Sequence, residues 1–585
     1  MSIKHATVTT AAILGVSALL CTANAGQSAG STGYIVEGAS TDSVAQAVRK
    51  AGGNITHELP IINGVSALLT PHQLSTLQHN SHLTLFKDAP VYPHSTTTTS
   101  YTFTFEYMGP EDEGSLVPDP YQRNTLSVPT LASEGINGSG VLVAVLDSGI
   151  IQPAAKLGYT PSGTDPYSYL ANNLSGSPRI AAQYDAIDNV LVDANHPWNS
   201  LVNDGYGHGS HVASIILSSD TQDAFLGLQP EGIAPDAGLI SVKAFNGTGV
   251  GTYANVLNGL NWILTNKNTY GAIRVVNLSF GAKPQSYYWN DPIDQAVMKL
   301  WQAGIVVVTS AGNFGPTPMS ISVPGNTPYV ITVGAFTDGF NSVTTVNDGV
   351  ASFSSAGPTY EGFVKPEVIA PGGHLMGTMT PAVQYLAAQY PQFVTEDSSM
   401  FEMSGTSQAA AATTGVVALM LQANPKLTPN DVKCRLMASA SALVGANGKA
   451  SYTIFQQGAG LINANAAVQS QASGCANVGL NIANDIAGTA HYGGPAHQNS
   501  STGQYYVVNS SGQPVSSDGY LWNAQYSENA GYLWNQGYLW NQGYLWNQGY
   551  LWNQGYLWNQ GYLWNQNTVT PASSPLNSES WNGQQ

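Results

Sequence analysis

Short, wholly apolar runs alternate with amphipathic stretches through the middle of the chain. Val141-Leu142-Val143-Ala144-Val145-Leu146 is unbroken and β-branched at alternate places, and Val275-Val276-Asn277-Leu278 and Ile305-Val306-Val307-Val308 are alike. Strands that are apolar on both faces belong to parallel sheets covered by helices. Residues 127–472 are therefore expected to form a doubly wound α/β domain with a mostly parallel sheet. In such sheets chemistry gathers at the C-terminal ends of the strands, so the residues just after each run are the ones to inspect. Residues 33–95 predict a small α+β unit. A strand at Tyr34-Ile35-Val36 leads to a helix from Ser43 to Ala51 and a break at Gly52-Gly53; strand-like material from Ile61 to Leu69 then precedes a second helix from Pro71 to His79. Polar segments at 96–126 and 473–518 are expected to be linkers.

The two ends differ in texture. Lys4 and His5 precede an apolar run from Ala11 to Leu20, followed by Ala23-Asn24-Ala25. A basic start, a short apolar core and small residues at alternate positions predict a secretory signal at 1–25, cleaved after Ala25. The run is shorter than the ~20 residues of a membrane-spanning helix. Cys21 follows Leu19-Leu20 rather than small residues, which argues against a lipid anchor. Near the other end, Gly-Tyr-Leu-Trp-Asn begins at 519, 531, 537, 543, 549, 555 and 561, with a strict six-residue period from 531. The repeat spans 519–566 and a polar tail occupies 567–585. Tyr and Trp of each hexapeptide fall on one face of an extended strand and Leu on the other. Stacked short strands separated by Asn-Gln-Gly turns suit this period better than one long strand. An aromatic surface of this kind suits glycans, cell-surface material or another copy of the chain; a tail with no specific partner is the other reading.

Charge narrows the classes. Lys and Arg number 17 against 34 Asp and Glu, a formal −17, while only 9% of residues are charged. Such a chain repels phosphate backbones, so nucleic acid is excluded as a partner. Removing the signal removes Cys21 and leaves Cys434 and Cys475. An even count in an exported chain predicts one disulfide; two buried free thiols are the alternative.

Three segments carry candidate chemistry. Asp147 follows the first apolar run in Leu146-Asp147-Ser148-Gly149, where a carboxylate either accepts a hydrogen bond in a crevice or merely ends a strand. His208 lies in Gly207-His208-Gly209-Ser210-His211, its flanking glycines allowing close approach to the ring. His211, three residues on, raises the question of a metal, but there is no His-Glu-x-x-His pattern and no nearby thiolate. Ser407 opens a long small-residue helix in Gly405-Thr406-Ser407-Gln408, where the helix dipole favours negative charge but the hydroxyl needs a base.

Taken together, these three segments resemble the signature segments of the subtilisin-like serine peptidases, in the same Asp, His, Ser order. The likeness extends through Val275 to Gly281, Val306 to Asn313, Phe353 to Pro358, Lys365 to Gly372 and Gly458 to Asn463, covering about 130–470. It implies a secreted serine endopeptidase with Asp147, His208 and Ser407 as catalytic triad and Asn313 as oxyanion donor. Ser279, Phe280 and Gly281 would be a substrate-binding edge, and Ser310, Ala311 and Gly312 would line the pocket for the residue before the cut. No cofactor is needed for catalysis; structural calcium is compatible with the family but no ligand set is assignable. Ile61 to Ser66 resembles the inhibitory propeptide of the same family, which makes 33–95 a folding aid and inhibitor released by a cut near 92–100. The chain departs from the pattern after Ser407: Gln408 and four alanines stand where the family has Met, Ala and a proline-containing pair. Insertions at about 151–200 and 374–400 are expected as loops around the cleft. A surface- or glycan-binding protein built on the repeat, with the peptidase domain as scaffold, is the alternative function.

Overall fold

The computed structural model describes residues 30–93, 121–193, 195, 202–221, 230–338, 348–445 and 450–508, with two strand segments at Pro514–Val515 and Tyr538–Leu539. The expected signal at 1–25, most of the first linker, nearly all of the repeat and the tail lie outside them.

The N-terminal unit runs β1 (Thr32–Glu37), α1 (Thr41–Lys50), β2 (Asn54–Leu59), β3 (Gly64–Leu69), α2 (Pro71–Gln78), β4 (Thr84–Lys87) and β5 (Pro90–Pro93). Both helices start at capping boxes, Ser40 with Ser43 and Thr70 with Gln73. Strands order as β2-β3-β1-β4. The expected strand at 61–69 begins only at Gly64, because Pro60–Ile62 forms a 3₁₀ turn that ends at left-handed Asn63. One face closes on its own core of Val36, Val44, Val48, Val65 and Leu69. The other contributes Ile35, Leu59, Ile61, Ile62 and Val91 to the core of the large domain.

That domain is built on β6 (Leu142–Asp147), β7 (Ile180–Asp185), β8 (Val190–Val192), β9 (Gly238–Lys243), β10 (Gly251–Thr252), β11 (Ile273–Leu278), β12 (Phe280–Gly281), β13 (Val306–Ser310), β14 (Ile331–Thr337), β15 (Gly349–Val350) and β16 (Val368–Pro371). The main sheet has nine strands, β15-β14-β13-β11-β6-β9-β7-β8, with β16 also on β14. All its pairings are parallel except β7–β8 and β14–β15. Every residue of β6 and β13 is buried, as wholly apolar runs in a covered parallel sheet require. Helices α3 (His208–Leu217), α4 (Tyr253–Thr265), α5 (Pro292–Gln302), α6 (Thr406–Ala423) and α7 (Pro429–Ser439) cover it.

Three boundaries differ from expectation. The first linker already carries a helix at Tyr121–Thr125, held because the buried guanidinium of Arg123 donates to the carbonyls of Gly232 and Ile233. In the 151–200 insertion, β7 and β8 are strands of the main sheet rather than loops, and short helices at Ala154–Leu157 and Tyr167–Ala171 precede them. The segment from 473 is no linker either: it carries α8 (Ile482–Ile486), β19 (Tyr492–Gly493), β20 (Ala496–Gln498) and β21 (Tyr505–Val508). Asp485 accepts from the hydroxyls of Tyr288 (2.6 Å) and Tyr329 (3.0 Å), which fastens α8 to the domain. A disulfide joins Cys434 of α7 to Cys475, with Cα atoms 5.3 Å apart. Among the described residues no helix is long and apolar enough to cross a membrane.

Candidate active site

Asp147 ends β6, and its Oδ1 lies 2.8 Å from His208 Nδ1; both side chains are fully buried. The same Oδ1 accepts the N–H of Ser148 at 2.8 Å. His208 is the first residue of α3, entered through Gly207 at φ 109°. Gly209 has no room for a side chain: a Cβ there would lie 2.2 Å from the carbonyl oxygen of Gly149. The turn before α3 is braced by buried Asp204, whose carboxylate accepts the N–H groups of Tyr206, Gly207 and Ser210, the hydroxyl of Ser210 and the amide of Gln384. Gln384 belongs to the 374–400 insertion, which folds against α3 through β17 (Leu375–Thr378) and β18 (Met400–Met403).

Ser407 lies in the first turn of α6, where backbone N–H groups have no intrahelical acceptor. The helix runs unbroken for 18 residues, which fits the absence of proline beyond the serine. Its register is fixed by a chain of buried hydrogen bonds. Thr414 donates to Asn277 Oδ1 (2.8 Å), Asn277 donates to Ser279 Oγ (2.8 Å), and Ser279 donates to the carbonyl of Ser407 (2.9 Å). Ser407 Oγ in turn donates to the carbonyl of Ser279 at 3.0 Å, while among the described residues His208 Nε2 has no hydrogen-bond partner. The structure thus brings Asp147 and His208 into contact but holds the serine hydroxyl on the strand carbonyl.

Asn313 follows β13. Its Oδ1 accepts the N–H (3.0 Å) and hydroxyl (2.8 Å) of Thr406, so the amide's donor end is turned the other way. Ser310, Ala311 and Gly312, just before it, are buried, and a Cβ on Gly312 would meet the hydroxyls of Ser355 and Ser322. Exposed Phe314 comes next. His211 is a structural neighbour: Nε2 faces the carbonyls of Leu375 (3.2 Å) and Phe401 (3.0 Å), and Nδ1 lies 3.4 Å from Gln408 Nε2. Burial, reinforced by the nearby His208, pushes its pKa down to about 3, so the ring is neutral. Among the described residues no group of three or more His, Cys, Asp or Glu is arranged to hold a metal ion.

Phe280 and Gly281 are occupied by the chain itself. They pair antiparallel with Pro93 and Tyr92 of β5, whose other edge pairs with β10, Val91 opposite Gly251 and Pro90 opposite Thr252. Val91 is buried between the two strands and Tyr92 is exposed. Thr406, Asn277, Thr414, Asp204 and Gln384 escaped the sequence reading. Thr406 and Asn277 stood inside motif segments, but the pairs Asp204–Gln384 and Asn277–Thr414 join residues distant in sequence.

A sequence profile described as the subtilase family matches residues 138–473. The chain is 36% identical over 302 residues to serine protease AprX of Bacillus subtilis (strain 168), covering 51% of this chain and 60% of that one. It is 31% identical over 358 residues to subtilisin E of the same organism, covering 60% of this chain and 71% of that one. Fervidolysin from Fervidobacterium pennivorans, a solved structure, superposes with TM-score 0.56 over 82% of this chain and 67% of that one, at 21% identity; this likeness concerns the fold. The chain thus spans 60% of AprX's length, yet the profile match takes in more than half of its own 585 residues, and the chain belongs to the subtilase family.

Proposed function

We propose that the protein is a secreted serine endopeptidase made as a self-inhibited precursor. The observation that carries this reading is the buried Asp147–His208 pair at 2.8 Å beside the helix that begins with Thr406 and Ser407. For catalysis the Ser407 hydroxyl would leave the Ser279 carbonyl and turn to His208 Nε2. His208 then takes the proton as the oxygen attacks a peptide carbonyl, and returns it to the departing amine. Asp147 fixes the Nδ1–H tautomer and stabilises the imidazolium. The side-chain amide of Asn313 and the backbone N–H of Ser407 hold the tetrahedral oxyanion, and water resolves the acyl-enzyme by the same route in reverse.

Residues 33–93 act as the inhibitor. β5 lies on the edge strands where an extended substrate would add, and Ile35, Leu59, Ile61 and Ile62 share the core of the large domain, which suits a folding aid. Release follows a cut beyond Pro93, within 94–100. Substrates are proteins or peptides. The signal at 1–25 makes the product extracellular or cell-surface associated. The aromatic repeat adds retention on glycan or cell-surface material; nothing in the site favours it as the main activity.

Purified protein should digest casein after loss of the N-terminal unit, and Ser407→Ala should not. Absence of hydrolysis once that unit is gone would overturn the peptidase reading.

A further inference from the structure

Docking of the N-terminal unit buries two of its carboxylates against the starts of two parallel helices. Asp88 Oδ1 accepts the N–H of Ala254 in the first turn of α4 at 2.9 Å. Glu37, the last residue of β1, is 8% exposed, and among the described residues its Oε1 has no hydrogen-bond partner. It faces α5, where Asp291, Gln295 and Lys299 recur every fourth residue and so share one stripe. Asp291 opposes a charge on Glu37, while Lys299 and Gln295 favour it. The strands beside Glu37 present Gly64 and Thr84, which carry no charge. Asp291 is held in place, since its carboxylate caps α5 at Ile293 and Asp294 and accepts the Tyr253 hydroxyl at 2.9 Å. The acid at position 37 therefore meets a fixed carboxylate across the docking interface.

We propose that Glu37 is a pH latch: the unit docks with this carboxyl neutral, and its ionisation as the pH rises frees the cleft. The latch rests on reading residues 33–93 as the inhibitor. Burial, with Asp291 adding to it, pushes the Glu37 pKa from 4.5 to about 8 in the docked state. A group raised on docking gives its full contribution below the undocked value and loses it as the pH climbs through the docked one. The window is thus about pH 4.5 to 8, and affinity falls on the order of a hundredfold between pH 5 and 8. Asp88, also raised by burial, acts in the same direction. The precursor stays closed in acid and opens as its surroundings turn neutral.

The test uses the full chain, purified at pH 5 and shifted to values from 5 to 8.5. Survival of the 33–93 fragment is followed on gels. Aliquots returned briefly to pH 7 are labelled at Ser407 with a fluorophosphonate probe, which separates release from the titration of catalysis. Wild-type release should accelerate at least tenfold from pH 5 to 8, and Glu37→Gln should remain slow throughout while reaching the same final activity. Lys299→Met, which removes the cation favouring ionised Glu37, should release faster than wild type at pH 8.5, where the docked carboxyl is largely ionised. A Glu37→Gln profile that tracks wild type would overturn the latch and leave the inhibitor standing. Full labelling at pH 5 with the fragment still intact and bound would overturn the inhibitor reading and the latch with it.

Discussion

Thr406 Oγ1 donates to Asn313 Oδ1 at 2.8 Å while accepting the N–H of Gly312 at 3.2 Å. One hydroxyl thereby ties the segment after β13 to the helix that carries Ser407, and turns the Asn313 amide so that its N–H groups face away from Thr406. In the proposed mechanism, the threonine beside Ser407 would be a positioning residue for the oxyanion donor Asn313. Asn313→Ala should lower kcat on the order of 10²–10³-fold. Thr406→Val should lower kcat by about tenfold, the worth of one well-aimed hydrogen bond, with KM nearly unchanged. Thr406→Ser should restore it. Equal losses in kcat and 1/KM for the valine variant would point to a packing defect instead.

Asp147→Asn keeps the shape of the buried pair but can stabilise neither the imidazolium nor the correct tautomer. Turnover should fall on the order of 10⁴-fold, with the thermal midpoint little changed, measured on the released enzyme. A variant that unfolds early would show that Asp147 serves the strand end more than the histidine.

Gln408, where the chain departs from its family, contacts His211 at 3.4 Å, and among the described residues its buried Oε1 has no hydrogen-bond partner. Little is lost when such a group is replaced by an apolar one of similar size. Gln408→Met should therefore change stability by less than about 1.5 kcal/mol and leave kcat/KM within about threefold. His211, with its pKa pushed down to about 3, should show no titration of its ring resonances between pH 4 and 9.

The sheet and the three motif residues were legible because wholly apolar runs have few folds open to them, and because Asp147, His208 and Ser407 each stand beside such a run. What supports them was not. Asp204 and Gln384 meet across 180 residues, and Asn277 and Thr414 across 137. A polar residue inside an apolar run, as Asn277 is, reads as an interruption until its partner is seen. The stretch after 473 failed for the opposite reason. Its composition is that of a linker, yet Asp485 buries itself against two tyrosines and so orders the chain around it. Linker composition predicts exposure only where no polar group finds a buried partner.

The C-terminal half of the sheet rests on a buried charge cluster. Glu367 Oε1 lies 2.7 Å from Lys365 Nζ and 2.8 Å from Lys433 Nζ, all three side chains being almost wholly buried. Its other oxygen accepts the N–H of Thr332, and Lys433 also donates to the carbonyls of Pro328, Tyr329 and Val330. Burial pulls the Lys365 pKa down to about 7 although Glu367 favours its charged form, so below that pH one carboxylate holds both ammonium groups. Removing that carboxylate strands two cations inside the protein, which costs more than the ion pairs themselves are worth. Glu367→Gln should destabilise the fold by about 3–5 kcal/mol, read as a lower urea midpoint with an unchanged slope. Adding Lys365→Met to Glu367→Gln should recover part of the loss, since one stranded charge goes with it. A double variant no more stable than the single one would mean that Lys365 is held by the Val330 carbonyl and the Thr332 hydroxyl at 3.2 and 3.0 Å, and that Glu367 serves the backbone of β14 instead.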